Sequence, residues 1–95
     1  MHFIIHCLDH PDAVQTRLAH YEAHKTYLSK SPVRIVISGP LLAADNETMI
    51  GSLFLVEAAT QAEVQSFHDN DPFKAANVWK TVSIHPFLKR MDNRD

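Results

Sequence analysis

The side chains able to move protons or hold charged ligands fall at a few places along the chain. Ala13, Arg17, His20, His24 and Tyr27 recur at intervals of four, three, four and three. That spacing aligns them in one stripe of an α-helix. Histidine, with an unperturbed pKa of about 6.5, is the natural general base near neutral pH. The same stripe also fits a solvated helix flank. Further on, Asp71 precedes Pro72, a pair suited to the N-cap and first turn of a helix. A carboxylate held by backbone donors is rigid and ionised, and can orient an imidazole and stabilise its protonated form. Ser38-Gly39-Pro40 forms a third candidate: glycine admits close backbone approach to a ligand, and the Ser38 hydroxyl can donate to a substrate oxygen. A tight turn explains the same three residues equally well.

Metal and thiol chemistry fare worse. His20 and His24 stand four apart, but Tyr21-Glu22-Ala23 between them departs from the H-E-x-x-H pattern. His2 and His6 lie about 13 Å apart on an extended strand, too far to chelate one ion. No metal site and no cofactor are expected. The single cysteine, Cys7, excludes a disulfide framework and sits in an apolar run without an adjacent base.

The elements that must position these residues are sparsely punctuated, with two glycines and five prolines in 95 residues. Residues 2–8 read as a strand, and residues 11–30 as a helix with Val14, Leu18, Tyr21 and Leu28 on its buried face. A second strand over 33–38 closes at Gly39-Pro40, and residues 41–49 form a loop before a third strand over 50–57. Thr60 and Glu63 make a capping box that opens a second helix carrying Ala62, Val64 and Phe67. Asp69-Asn70-Asp71-Pro72 breaks it, a short helix runs to Ala76, and a last strand spans about Trp79 to Phe87. Trp79 and Phe87 read as core or interface residues, and the polar tail is expected to fray.

This order, β-α-β-β-α-β, predicts an α+β, ferredoxin-like fold with both helices on one face of an antiparallel sheet, as a single domain over 1–95. Phe3-Ile4-Ile5 and Leu53-Phe54-Leu55-Val56 are apolar on both faces, where a half-exposed strand should alternate. A second copy packed sheet to sheet is the simplest cover, so a homodimer is expected. A formal net charge of −2 removes the electrostatic case for nucleic-acid or anionic-membrane partners. No apolar run approaches the roughly 20 residues of a membrane span. The first residues lack the marks of a signal peptide, which points to a cytoplasmic protein.

Several of these segments together resemble the YCII (YciI-like) family: Tyr21-Glu22-Ala23-His24, Ser38-Gly39-Pro40, Gly51-Ser52 and Asn70-Asp71-Pro72-Phe73. The resemblance covers almost the whole chain. It implies a dimeric α+β barrel, and a histidine–aspartate dyad carried here by His24 and Asp71. Arg17, Ser38, Gly39 and Pro72 are the residues placed around a small aromatic, quinol- or quinone-like substrate. The activity implied is cofactor-independent dehydrochlorination of a chlorinated hydroxyhydroquinone to a hydroxybenzoquinone. A cofactor-free quinol oxygenase or isomerase, or a non-catalytic small-molecule-binding module, are the other readings the sequence leaves open.

Overall fold

The strands are the apolar segments of the sequence. In the computed structural model, which describes residues 1–94, they are β1 (His2–Asp9), β2 (Arg34–Leu42), β3 (Met49–Glu57) and β4 (Trp79–Phe87). They form one sheet in the order β2-β3-β1-β4, with each neighbouring pair antiparallel. With the helices in the intervening connections, this is the expected α+β, ferredoxin-like arrangement. No helix among the described residues is long and apolar enough to cross a membrane.

Alternation along β1 and β3 sets the core. Phe3, Ile5 and Cys7 pair across the ladder with Val56, Phe54 and Ser52, and all six are buried. Onto this face pack α3 (Gln61–Asp69), through Val64 and Phe67, and α4 (Pro72–Ala75), through Phe73. Tyr27 and Leu28 of α2 (Tyr21–Ser29) join the same cluster. Phe3, Phe54, Phe67 and Phe73 are among the largest fully buried side chains, each contributing about 1.5–3 kcal/mol of hydrophobic stabilisation. Thr60 caps α3 as expected, its hydroxyl accepting from the Glu63 amide at 3.3 Å.

Three expectations need correction. The helix over 11–30 is two helices, α1 (Val14–Ala19) and α2, meeting at His20. There the imidazole Nδ1 bonds the Thr16 carbonyl at 3.0 Å, a local alternative to regular helix bonding. Next, the buried face is not the apolar one. Leu18 and Tyr21 are exposed, whereas Arg17 and His24 are buried. Finally, Gly39-Pro40 does not close β2, which continues to Leu42. Neither glycine has a positive φ, and Pro40 faces Ser52 within the ladder. The glycine that permits close approach is Gly51, where a Cβ would stand 2.2 Å from the Cys7 carbonyl oxygen.

Candidate active site

A bidentate ion pair makes burial of the α1 cation affordable. Arg17 donates through Nε to Asp9 Oδ2 at 2.9 Å and through Nη2 to Asp9 Oδ1 at 2.8 Å. Nη2 also reaches Ser52 Oγ at 2.9 Å. Both charged side chains are 4% exposed, and an isolated charge at that depth would be strongly destabilising. Ser52 further accepts the indole N–H of Trp79 at 3.2 Å. The guanidinium carbon lies 4.9 Å from the centre of the Phe73 ring. Arg17 Nη1 is bonded to no protein group among the described residues.

One turn along α2, His24 meets Asp71. The imidazole Nδ1 is 2.8 Å from Asp71 Oδ1, and that same oxygen accepts the Phe73 amide at 2.9 Å. The N-cap of α4 is thus also the histidine's partner, and Pro72 at the first helical position fixes the turn. A carboxylate on Nδ1 selects the tautomer in which Nδ1 carries the proton and Nε2 is the free base. The imidazole stacks on Phe73, ring centres 4.0 Å apart and planes 7° from parallel, and meets Trp79 edge-on at 6.5 Å. Two of its torsions are therefore held by aromatic packing as well as by the hydrogen bond.

His24 and Arg17 both line a cavity of about 200 Å³ between α1, α2 and the β2–β3 hairpin. Ser38, Gly39, Ser52 and Phe54 complete its floor, and Tyr21 and Lys25 stand among its walls. The structure therefore brings His24, Arg17, Ser38 and Gly39 to one cavity, with Asp71 behind His24. Pro72 is not among the lining residues; it acts through the α4 cap. His20 is exposed and turned to the helix backbone.

Asp9 is the residue that sequence reasoning missed, while Ser52 and Phe73 are named only within segments that carry the family resemblance, without a role. Asp9 lies just past the strand expected over 2–8, and no helical or strand period links it to Arg17. A polar Ser52 inside the apolar run of β3 was the available signal. Cys7 is buried, and desolvation, with Asp71 nearby, pushes its thiol up to about 12, so it is an inert core group.

A family model described as a YCII-related domain matches residues 1–88. Protein YciI of Escherichia coli O6:H1 is 30% identical over 96 residues, spanning 94% of this chain and 98% of its own length. An uncharacterized protein of Haemophilus influenzae is 27% identical over the same shares. Among solved structures, the chain is similar to 5-chloro-2-hydroxyhydroquinone dehydrochlorinase (TftG) from Burkholderia phenoliruptrix AC1100, in complex with 2,5-dihydroxybenzoquinone. The TM-score is 0.85 at 35% sequence identity, covering 93% of this chain and 94% of that one. With the model matched from residue 1 to residue 88 of 95, the chain belongs to the YCII family.

Proposed function

We propose that this protein is a cofactor-independent lyase that dehydrochlorinates a chlorinated hydroxyhydroquinone, with His24 as the base and Asp71 as its orienting partner. The observation that carries this reading is the buried 2.8 Å contact between His24 Nδ1 and Asp71 Oδ1 at the wall of a cavity. Likeness to a dehydrochlorinase with a quinone in its complex supports the substrate class.

The chemistry needs one group that can take and return a proton. His24 Nε2 removes a hydroxyl proton from the ring, and Asp71 stabilises the imidazolium so formed. Returning that proton to the chlorine-bearing carbon converts the phenolate to a ketone. Loss of the proton from a second hydroxyl then drives its electron pair through the ring and breaks the C–Cl bond. Chloride and one proton leave, and the product is a hydroxybenzoquinone with no external oxidant. Arg17 Nη1 and the Ser38 hydroxyl steady the oxyanion as charge develops. Because Asp9 already neutralises Arg17, the guanidinium supplies directed N–H donors more than net charge.

The assembly proposed with this site is the sheet-to-sheet homodimer. The helix-free face of the sheet carries Ile4, Leu53 and Leu55, half-buried, beside Leu8 and Ile37, which are 40% and 48% exposed. That apolar strip supports coverage by a second copy. Sedimentation is expected to give a dimer that Leu55→Asp dissociates; a wild-type monomer at micromolar concentration would break this expectation.

The functional test is a turnover screen with chlorinated and hydroxylated quinols, read by chloride release and quinone absorbance. Wild type is expected to release one chloride per quinone. His24→Gln should lower the rate about 10²–10⁴-fold. Near wild-type turnover in that variant, or no chloride release across the class, overturns the reading.

A further inference from the structure

Between α3 and the edge strand β4 lies a second cavity, of about 500 Å³. Its polar lining consists of two cations, Lys74 and Lys80, three amides, Gln61, Gln65 and Asn77, and the imidazole of His68. No carboxylate is among the lining residues. Lys80, Gln61 and Asn77 make no side-chain hydrogen bond among the described residues. Lys74 pairs with Asp69 at 3.1 Å, but both side chains are roughly half exposed, so that pair is weak and its lysine can be recruited. Asn77 is held at φ 59°, a left-handed conformation that asparagine tolerates better than most residues. It turns the chain from α4 into β4 at this wall.

His68 closes the cavity on its inner side. It is 4% exposed, yet its Nδ1 is buried with no hydrogen-bond partner. Buried polar atoms are nearly always partnered, and leaving one unsatisfied costs about 1–3 kcal/mol. Its ring stacks on Trp79 at 4.8 Å, which keeps it from turning outward in search of one. The cavity thus joins two cations and the free amides of Gln61 and Asn77 at one wall, with the His68 Nδ1 sealed behind it and the Asp69 carboxylate held on Lys74 and Gln65.

We propose that this second cavity binds a small oxyanion, a phosphate or carboxylate group, held by Lys74 and Lys80 with Gln61 and Asn77 as neutral donors. With only two cations and a net charge of −2 on the chain, the surface suits a small ligand and not a polyanion. Trp79 links this site to the first. Its ring stacks on His68, and its indole N–H donates to Ser52. The site is independent of the lyase reading and stands or falls separately.

Trp79 is the only tryptophan in the chain, so its fluorescence reports the cavity wall. Inorganic phosphate and acetate, each titrated at constant ionic strength, are the probes. At least one is expected to give a saturable change that sodium chloride does not give, and the stronger of the two identifies the preferred oxyanion. Lys74→Gln and Lys80→Gln should each weaken binding about tenfold, the loss of one charge-assisted hydrogen bond, while His24→Gln keeps the isotherm. A response shared by chloride, no saturable response to either probe, or affinity unchanged in the lysine variants overturns the proposal. An isotherm lost in His24→Gln and kept in the lysine variants assigns the anion to the first cavity and overturns it equally.

Discussion

His24 and His68 are both buried imidazoles stacked on an aromatic ring, and both lie near Trp79. Their surroundings make them opposites. His24 has a carboxylate on Nδ1 and lines a cavity. His68 has an unpartnered Nδ1, and burial, reinforced by the Lys74 charge, lowers its pKa. The first environment fixes the tautomer of its ring, and the second favours the neutral form. The comparison teaches that depth and aromatic packing do not assign a histidine's role; the group on its second nitrogen does.

The sharpest way to break this contrast is to change that group without changing its shape. Asp71→Asn keeps the side-chain oxygen that caps α4 but removes the charge that stabilises His24 when protonated. It is also able to reverse the tautomer by donating to Nδ1. Turnover is expected to fall about 10²–10⁴-fold, a range set by loss of general-base function. The equilibrium stability should change far less. Activity within a few-fold of wild type would remove Asp71 from the chemistry and reduce it to a helix cap.

Asp71→Ala tests the same oxygen as structure. It removes both the acceptor of the Phe73 amide and the partner of the buried imidazole. Loss of a cap costs about 0.5–2 kcal/mol, and leaving a buried donor unpaired about 1–3 kcal/mol. The two share one atom and are not independent, so the expected loss is about 1–4 kcal/mol, below their sum. Urea unfolding at fixed protein concentration measures it. A loss no larger than that of Asp71→Asn would show that the contact is not stabilising.

The fold was legible because its signals are local and agree with one another. The β-branched runs, the capping box at Thr60 and the Asp71-Pro72 turn each point to one topology. Asp71 was nameable as a cap and His24 as one of two histidines in a helix stripe, since both are local features; pairing the two rested on the family resemblance. What resisted reading was which stripe faces inward. Hydrophobicity assigns Val14, Leu18 and Tyr21 to the core, but the long-range pair Asp9–Arg17 reverses that choice. Without knowledge that β1 ends beside α1, a buried arginine is a poor wager. The same limit hid His68: no local pattern marks a polar residue at a helix end, and only the third dimension puts Trp79 against it and β4 beside it.

His68 gives the smallest effect, and its sign follows from the linkage between protonation and folding. Its folded pKa lies below the ordinary histidine value of 6.5, chiefly through desolvation and next through Lys74, against the opposing pull of Asp69 and Asp71. The unfolded chain therefore binds the proton first as pH falls. The neutral ring's contribution to stability is complete above about pH 6.5 and declines as pH drops from there toward the folded pKa. One proton limits the slope to about 1.4 kcal/mol per pH unit. His68→Phe preserves the stack on Trp79 and removes the titration. Unfolding free energies measured at pH 7.5 and pH 5 should therefore differ less in this variant than in wild type. Equal acid losses in wild type and His68→Phe would mean that His68 takes up its proton in the folded protein as readily as in the unfolded chain. The two histidines would then no longer be opposites.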